Sequence, residues 1–313
     1  MSSFSHQTVL LKETVAFLRP RSTGRYIDCT LGGAGHTLEL LQQSAPDGQL
    51  LCFDQDLTAL NNARVVLADF LQTRVNLVHA NFREVGQVAR DQGFYSVDGV
   101  VFDLGVSSPQ FDEADRGFSY RYDAVLDMRM DTSNDKTALQ LVNEWTEHQL
   151  SRVFSEYGEE KFHRKIARAI VKKRADEEIR TTSELAEIVK GAIPAAARRS
   201  GGHPAKKVFQ ALRIEVNDEL NALREALEQA FELLTPGGRI AAISFHSLED
   251  RIVKQTFLKF AEGCICPSDF PICQCGRTPK ADIVTRKPIM PSDEEQQSNP
   301  RSKSAKLRVV QKR

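Results

Sequence analysis

The order of apolar segments predicts an α/β protein, with a doubly wound, mainly parallel sheet interrupted by an all-helical insertion. Three observations predict it. Short runs rich in β-branched and aromatic residues alternate with helical patterns from residue 26 to residue 103. The alternation then stops, and amphipathic helical patterns follow one another. Strand character returns only at residues 239–245, after the turn Thr235-Pro236-Gly237-Gly238. Alternating strands and helices imply parallel pairing through right-handed crossovers. The late strand implies that the helical block is inserted into the sheet domain.

A lead-in at residues 6–20 carries a short helix through Val9, Leu10, Val15 and Leu18. The first strand, residues 26–31, is followed at once by Gly32, Gly33 and Gly35, and residues 37–43 open a helix. Strand, glycine-rich turn and helix bring a nucleotide-like ligand against bare backbone at the positive end of a helix. Asp28 lies inside the strand, where a carboxylate is costly without a partner or a ligand. Aligning the dinucleotide fingerprint on Gly33 and Gly35 puts Leu38 in its third glycine position, a poor match for NAD. A ligand without phosphates, such as S-adenosylmethionine, asks less of the helix end. On these residues alone, a turn with no ligand stays open.

The second strand, residues 50–54, ends on Asp54, about 20 residues past the glycine turn, where an acid can bind both ribose hydroxyls. Asp56 reads as the N-cap of a helix over residues 57–70. A third strand (75–80), a helix (83–91) and a fourth strand (97–103) complete the alternation. Ligands of such sheets bind beyond the carboxyl ends of the strands. Asp28 to Gly35, Asp54, Asn81-Phe82 and Asp103 all fall there.

Asp103-Leu104-Gly105-Val106-Ser107-Ser108-Pro109-Gln110 follows the fourth strand. A loop here suits amine methylation, which needs an acceptor to orient an exocyclic amine. Positioning supplies most of that rate. Asp103, Ser107, Ser108 and Gln110 are the candidates; a serine-proline turn is the structural alternative. Helical patterns then cover 138–145, 148–157, 161–174 and 183–193, and a long helix over 205–234 returns the chain to the sheet. The expected domains are 1–110 and 205–313 for the sheet, and 111–204 for the insertion. Residues 283–286 and 305–310 are expected to form an antiparallel edge. Ser247 with Asp250 resembles a helix cap, and His246 lies at the same rim as Asp103, as a substrate contact or a hydrogen-bonded rim residue.

The 313 residues suit two domains, and 41% apolar with 27% charged residues is an ordinary globular composition. No run approaches the ~18 apolar residues of a membrane span, and the start lacks a secretory pattern. A cytoplasmic protein with reduced cysteines is expected. Net charge is zero, but it is unevenly spread. Residues 151–213 hold 15 Lys and Arg against 8 Asp and Glu, and residues 299–313 hold 6 basic residues and no acid. In 161–174, Phe162, Ile166, Ala169 and Ile170 share one face, and Lys161, Arg164, Lys165, Arg168, Lys172 and Lys173 occupy much of the rest. That surface suits phosphate contacts, or is simply a solvated face.

Longer motifs narrow the reading. Thr8-Val9-Leu10-Leu11-Lys12-Glu13, the Gly32–His36 loop, Asp103–Gln110, Arg116-Gly117-Phe118-Ser119, Leu126-Asp127-Met128-Arg129-Met130-Asp131, Tyr157-Gly158-Glu159-Glu160 and Phe245-His246-Ser247-Leu248-Glu249-Asp250-Arg251 span the chain. Together they resemble the bacterial 16S ribosomal RNA cytosine-N4 methyltransferase family (RsmH, formerly MraW). The resemblance implies a Rossmann-like class I methyltransferase sheet. It also implies methyl transfer from S-adenosylmethionine to N4 of a cytidine in the decoding region of 16S rRNA, within the small ribosomal subunit. The helical insertion would help recognise RNA. Ala34, Gly35 and His36 would meet the methionine end of the cofactor, Asp54 the ribose and Phe82 the adenine. Asp103 and Gln110 would line the transferred methyl, with Asp103 the catalytic candidate. Many relatives carry glycine where this chain has Ala34. No membrane partner is implied, and a homodimer is left open.

Cys264-x-Cys266 and Cys273-x-Cys275 place two close pairs of cysteines in one proline-containing loop. In a reducing compartment, four such thiols suggest a structural tetrahedral zinc site, with a spacing within each pair tighter than the usual two or more residues. Unligated thiols are the alternative. Cys29 and Cys52 lie in strands and read as small buried hydrophobes.

Overall fold

The computed structural model describes residues 8–107, 110–111, 113–198, 202–266 and 274–313. Ser108 and Cys273 lie outside them. The chain divides into two compact units, residues 1–105 with 220–313, and residues 106–219.

The first unit is built on a seven-stranded sheet of order β3-β2-β1-β4-β5-β7-β6. Its strands are β1 Arg25–Asp28, β2 Gln49–Asp54, β3 Val75–His79, β4 Val97–Asp103, β5 Leu234–Ser244, β6 Ala281–Ile283 and β7 Lys306–Lys312. The first five are parallel, and β7 and β6 close the edge antiparallel. Strand order reverses between β1 and β4, the position at which sheets of this class open a crevice. Tyr26, Leu50, Cys52, Val101, Ala241 and Ile243 pack with Val15 and Leu18 of α1 (Leu11–Leu18), Leu40 and Leu41 of α2 (Gly35–Gln43), and Leu60 of α3 (Leu57–Val66), and α4 (Val85–Asp91) connects β3 to β4. The alternate residues Ile27, Leu51, Phe53, Val100, Phe102, Ile240 and Ala242 are buried toward the opposite face. Gly99 is needed in β4 because a Cβ there would press on Leu18 and the Tyr26 ring.

The second unit is helical. Its longer helices are α5 Ala138–Glu144, α6 Glu147–Glu156, α7 His163–Asp176, α8 Thr182–Ala192 and, after the short α9 (Ala195–Arg198), α10 Lys206–Asn217. Capping boxes at Thr137/Gln140, Thr146/Gln149 and Thr181/Glu184 start α5, α6 and α8. Leu141, Leu150, Phe154, Ile166, Ile170, Leu185 and Leu212 form its core. Several family-like motifs are architecture here. Gly117 has φ +70°, and a Cβ on it would strike the Val125 carbonyl and the Asp127 N–H. Asp127 pairs with Arg129 (2.7 Å), and the Arg116 guanidinium donates to the Arg129 and Met130 carbonyls.

The helix expected over 205–234 is two helices. Asp218 adopts the left-handed conformation (φ 49°) and caps α10; α11 runs Glu219–Leu233. Asn217 turns its side chain to the Met130 N–H and the Met128 carbonyl. This ties α10 to the helical unit, which therefore runs to residue 219 rather than 204 and starts at 106 rather than 111. The expected strand 283–286 is β6 at 281–283.

Candidate active site

Three carboxylates stand at the carboxyl ends of strands β1, β2 and β4. Asp28 ends β1, Asp54 ends β2 and Asp103 ends β4. The local sequence explains each position. β1 runs into a turn in which Gly32 has φ +48° and Ala34 φ 64°, so the chain reverses into α2 within a few residues. Ala34 caps α2 with its backbone alone, and its side chain offers no hydrogen bond to the first-turn N–H groups. A Cβ on Gly35 would overlap the Thr8 side chain, which packs against the start of α2.

Asp28 is fully buried. It accepts hydrogen bonds from the Thr37 hydroxyl (2.7 Å) and the Thr30 N–H (3.1 Å), so its cost inside the strand is met by protein donors. Asp54 accepts from the Gly32 N–H and the Asp56 N–H, both at 2.9 Å. Asp56 is the N-cap of α3, accepting from the Thr58 N–H as expected. Burial pushes the carboxyl groups of Asp28 and Asp54 up to about 6. Burial, with the charges of Asp28 and Glu249, pushes the Asp103 carboxyl well above its usual range. Among the described residues no Lys or Arg pairs with any of the three.

Asp103 is fixed at its backbone, where its N–H donates to the Thr30 hydroxyl (2.6 Å). Its Oδ2 lies 3.7 Å from Nδ1 of buried His36. Its Oδ1 is buried with no hydrogen-bond partner among the described residues. A carboxylate oxygen left so costs desolvation that a bound donor would recover. Beyond β3, Asn81 caps a short turn by accepting from the Arg83 N–H, and Phe82 stands edge-on to Phe102 with centroids 5.9 Å apart. Gln110 belongs to the helical unit, where it is buried and accepts from the Ser107 N–H (3.0 Å).

His246 has a structural task. It is the N-cap of α12 (Ser247–Ala261), and the box partner is Glu249, not the Ser247–Asp250 pair the spacing suggested. Buried Glu249 accepts from the Phe245 N–H (2.7 Å) and the His246 N–H (3.2 Å), while His246 Nδ1 accepts from the Glu249 N–H (3.4 Å). Glutamate reaches back over three residues better than aspartate. Asp250 instead pairs with Arg308 (2.6 Å) and Lys306 (3.4 Å) of β7. Sequence reasoning missed Thr30, Thr37 and Glu249; the His246-x-x-Glu249 spacing was the available signal.

The model of the MraW methylase family matches residues 3–313. The chain belongs to that family. Curated relatives carry the name ribosomal RNA small subunit methyltransferase H. The protein from Paenibacillus sp. (strain JDR-2) is 56% identical over 315 residues, covering 99% of each chain. That from Brevibacillus brevis is 54% identical over 310 residues, 99% of this chain and 98% of its own. That from Symbiobacterium thermophilum is 56% identical over 310 residues, 99% of this chain and 97% of its own. Among solved structures, an rRNA methylase from Streptococcus thermophilus aligns with 98% of this chain and 99% of its own at 11% identity and a TM-score of 0.44.

Proposed function

We propose that this protein methylates the RNA of the small ribosomal subunit, 16S rRNA, with S-adenosylmethionine as donor, and that its target is the N4 amine of a cytidine in the decoding region. The observation that supports a cationic donor most directly is the acidic rim. Three carboxylates whose proton affinity burial raises, and which have no Lys or Arg partner among the described residues, favour a ligand that brings positive charge. The donor has two such groups, its ammonium and its sulfonium, and it loses the second on transfer. Membership in the family, and the names of relatives 53–56% identical, support the RNA substrate.

The residues fit the donor. The start of α2, at Ala34, Gly35 and His36, presents the positive end of the helix and suits the carboxylate of the donor's methionine end. Asp54 spends one lone pair per oxygen on Gly32 and Asp56 and keeps acceptor capacity for two ribose hydroxyls. Phe82 suits an adenine contact, and Asp103 suits the methyl end. When bound, S-adenosylmethionine supplies a methyl group on a positively charged sulfur. Asp103 accepts a hydrogen bond from the cytidine amine and directs the nitrogen lone pair. As the nitrogen gains its methyl and becomes cationic, it sheds one proton, which the Asp103 carboxylate can take because burial raises its proton affinity. The helical unit, through its basic stretch at residues 151–213, is the RNA-recognition part of this proposal, and the bacterial cytoplasm is where its substrate lies.

The test is mass mapping of small-subunit RNA from cells with and without the gene. One cytidine should lose a methyl group when the gene is absent; an unchanged map overturns the proposal. In vitro, Asp103→Ala should slow methyl transfer by about 10²–10⁴-fold at little cost in folding. Full activity in that variant removes Asp103 from the reaction.

A further inference from the structure

We propose that Cys264, Cys266 and Cys275 bind a structural zinc ion in the loop that joins α12 to β6. The three sulfurs converge, all lying within 4.8 Å of one another. Cys264 Sγ and Cys275 Sγ are 3.7 Å apart. Tetrahedral zinc with Zn–S bonds of about 2.3 Å sets its sulfurs about 3.8 Å apart. A disulfide would bring them to about 2 Å.

Backbone donors already address two of the sulfurs across the loop. The Ile265 N–H donates to Cys275 Sγ (3.5 Å) and the Gln274 N–H to Cys266 Sγ (3.3 Å). N–H groups aimed at sulfur stabilise thiolate over thiol, which is the form that binds metal. Soft thiolate ligands in a tetrahedral arrangement select zinc over magnesium, calcium or manganese.

The loop also needs a source of order. Ala281 is buried, but between Ala261 and Ala281 no described residue is, and Ile265 is exposed. At the neck, the Lys280 N–H donates to the Phe260 carbonyl (2.9 Å), Arg277 lies 3.6 Å from Glu262, and Gly263 packs against Pro279. These interactions hold the ends, and among the described residues of the cysteine segment none is buried in an apolar core. A metal ion supplies the missing cross-link, as in small domains too thin to bury one. On binding, each ligating cysteine releases its Sγ proton to solvent, and no electron is exchanged.

Elemental analysis of the full-length protein, purified with reductant and without chelator, tests this. One zinc per chain is expected, retained through dialysis. No metal, or iron in its place, overturns the proposal. Cys264→Ser and Cys275→Ser should lose the zinc, and Cys52→Ala, in β2, should keep it. Each variant is checked for a cooperative thermal transition. Retained zinc in both serine variants overturns the assignment. Cobalt substitution counts the thiolates from the charge-transfer band: three or four support the site, fewer overturn it. Chelation should raise proteolytic cleavage within residues 262–280 at least tenfold; an unchanged rate overturns the structural role. None of these readouts depends on methyl transfer.

Discussion

Asp28 is closed inside the sheet with two donors and no cation, and its carboxyl group is pushed up to about 6. The unfolded chain releases that proton near 3.8. Between those values the folded protein holds a proton the unfolded chain has released, so this group's contribution to stability falls as pH rises from 4 to 6. Asp54 behaves the same way. Asp28→Asn removes one share. Its amide can accept from the Thr30 N–H and donate to the Thr37 oxygen, whose hydroxyl then turns to Cys52 Sγ, 3.4 Å away. The variant should be more stable than the parent by ~1–2 kcal/mol at pH 7.5 and lose that advantage at pH 4, as read by thermal unfolding. A gain equal at both pH values would mean that the proton is not the cause. Donor binding should run the other way, because a cationic ligand favours ionised carboxylates. The thermal shift produced by S-adenosylmethionine should grow as pH rises through about 6, and more than the shift produced by its demethylated product.

At the scale of elements, the start of α12 depends on Glu249, which satisfies two backbone N–H groups and is itself buried. Glu249→Ala leaves both donors unmet and should cost about 1–3 kcal/mol of stability, measured by denaturant unfolding. Glu249→Gln should recover most of it. Because the Glu249 charge also raises the Asp103 pKa, the glutamine variant should shift the pH profile of methyl transfer to lower pH. Four of the five parallel strands were legible in the sequence as short apolar runs bounded by glycine or an acid, and β3 as an apolar run between Arg74 and Asn81. The same periodicity hid the end of α10. Apolar spacing continues through residue 234, and only Asn217-Asp218, two residues that tolerate the left-handed conformation, marked the break. At the site, Asp54 and Asp103 were legible from their places after strands. Thr30 and Thr37 were not, since a threonine bonded to a buried acid looks like any other threonine until strands β1 and β4 are side by side.

Across the whole molecule, net charge is zero, and the basic excess is local: residues 151–213 hold 15 Lys and Arg against 8 Asp and Glu, and Lys161 with the face of α7 carries seven of those basic residues. That face divides by task. Arg174 donates to the Val142 and Trp145 carbonyls, both at 2.6 Å, and burial lowers its pKa, so it belongs to the architecture. Arg168 lies 3.4 Å from Glu147 and Lys173 3.6 Å from Glu177, which offsets part of their charge. Lys161, Arg164, Lys165 and Lys172 are exposed and have no ion-pair partner among the described residues. Replacing these four with glutamine should leave thermal stability and donor binding unchanged and weaken binding to small-subunit RNA. The salt dependence should flatten by ~0.7–0.9 in log–log slope for each phosphate no longer neutralised. Arg174→Gln should do the opposite, destabilising the helical unit by about 1–3 kcal/mol through two unmet carbonyls while leaving the salt slope of the folded fraction intact. A four-site variant with unaltered affinity and slope would remove α7 from the RNA interface.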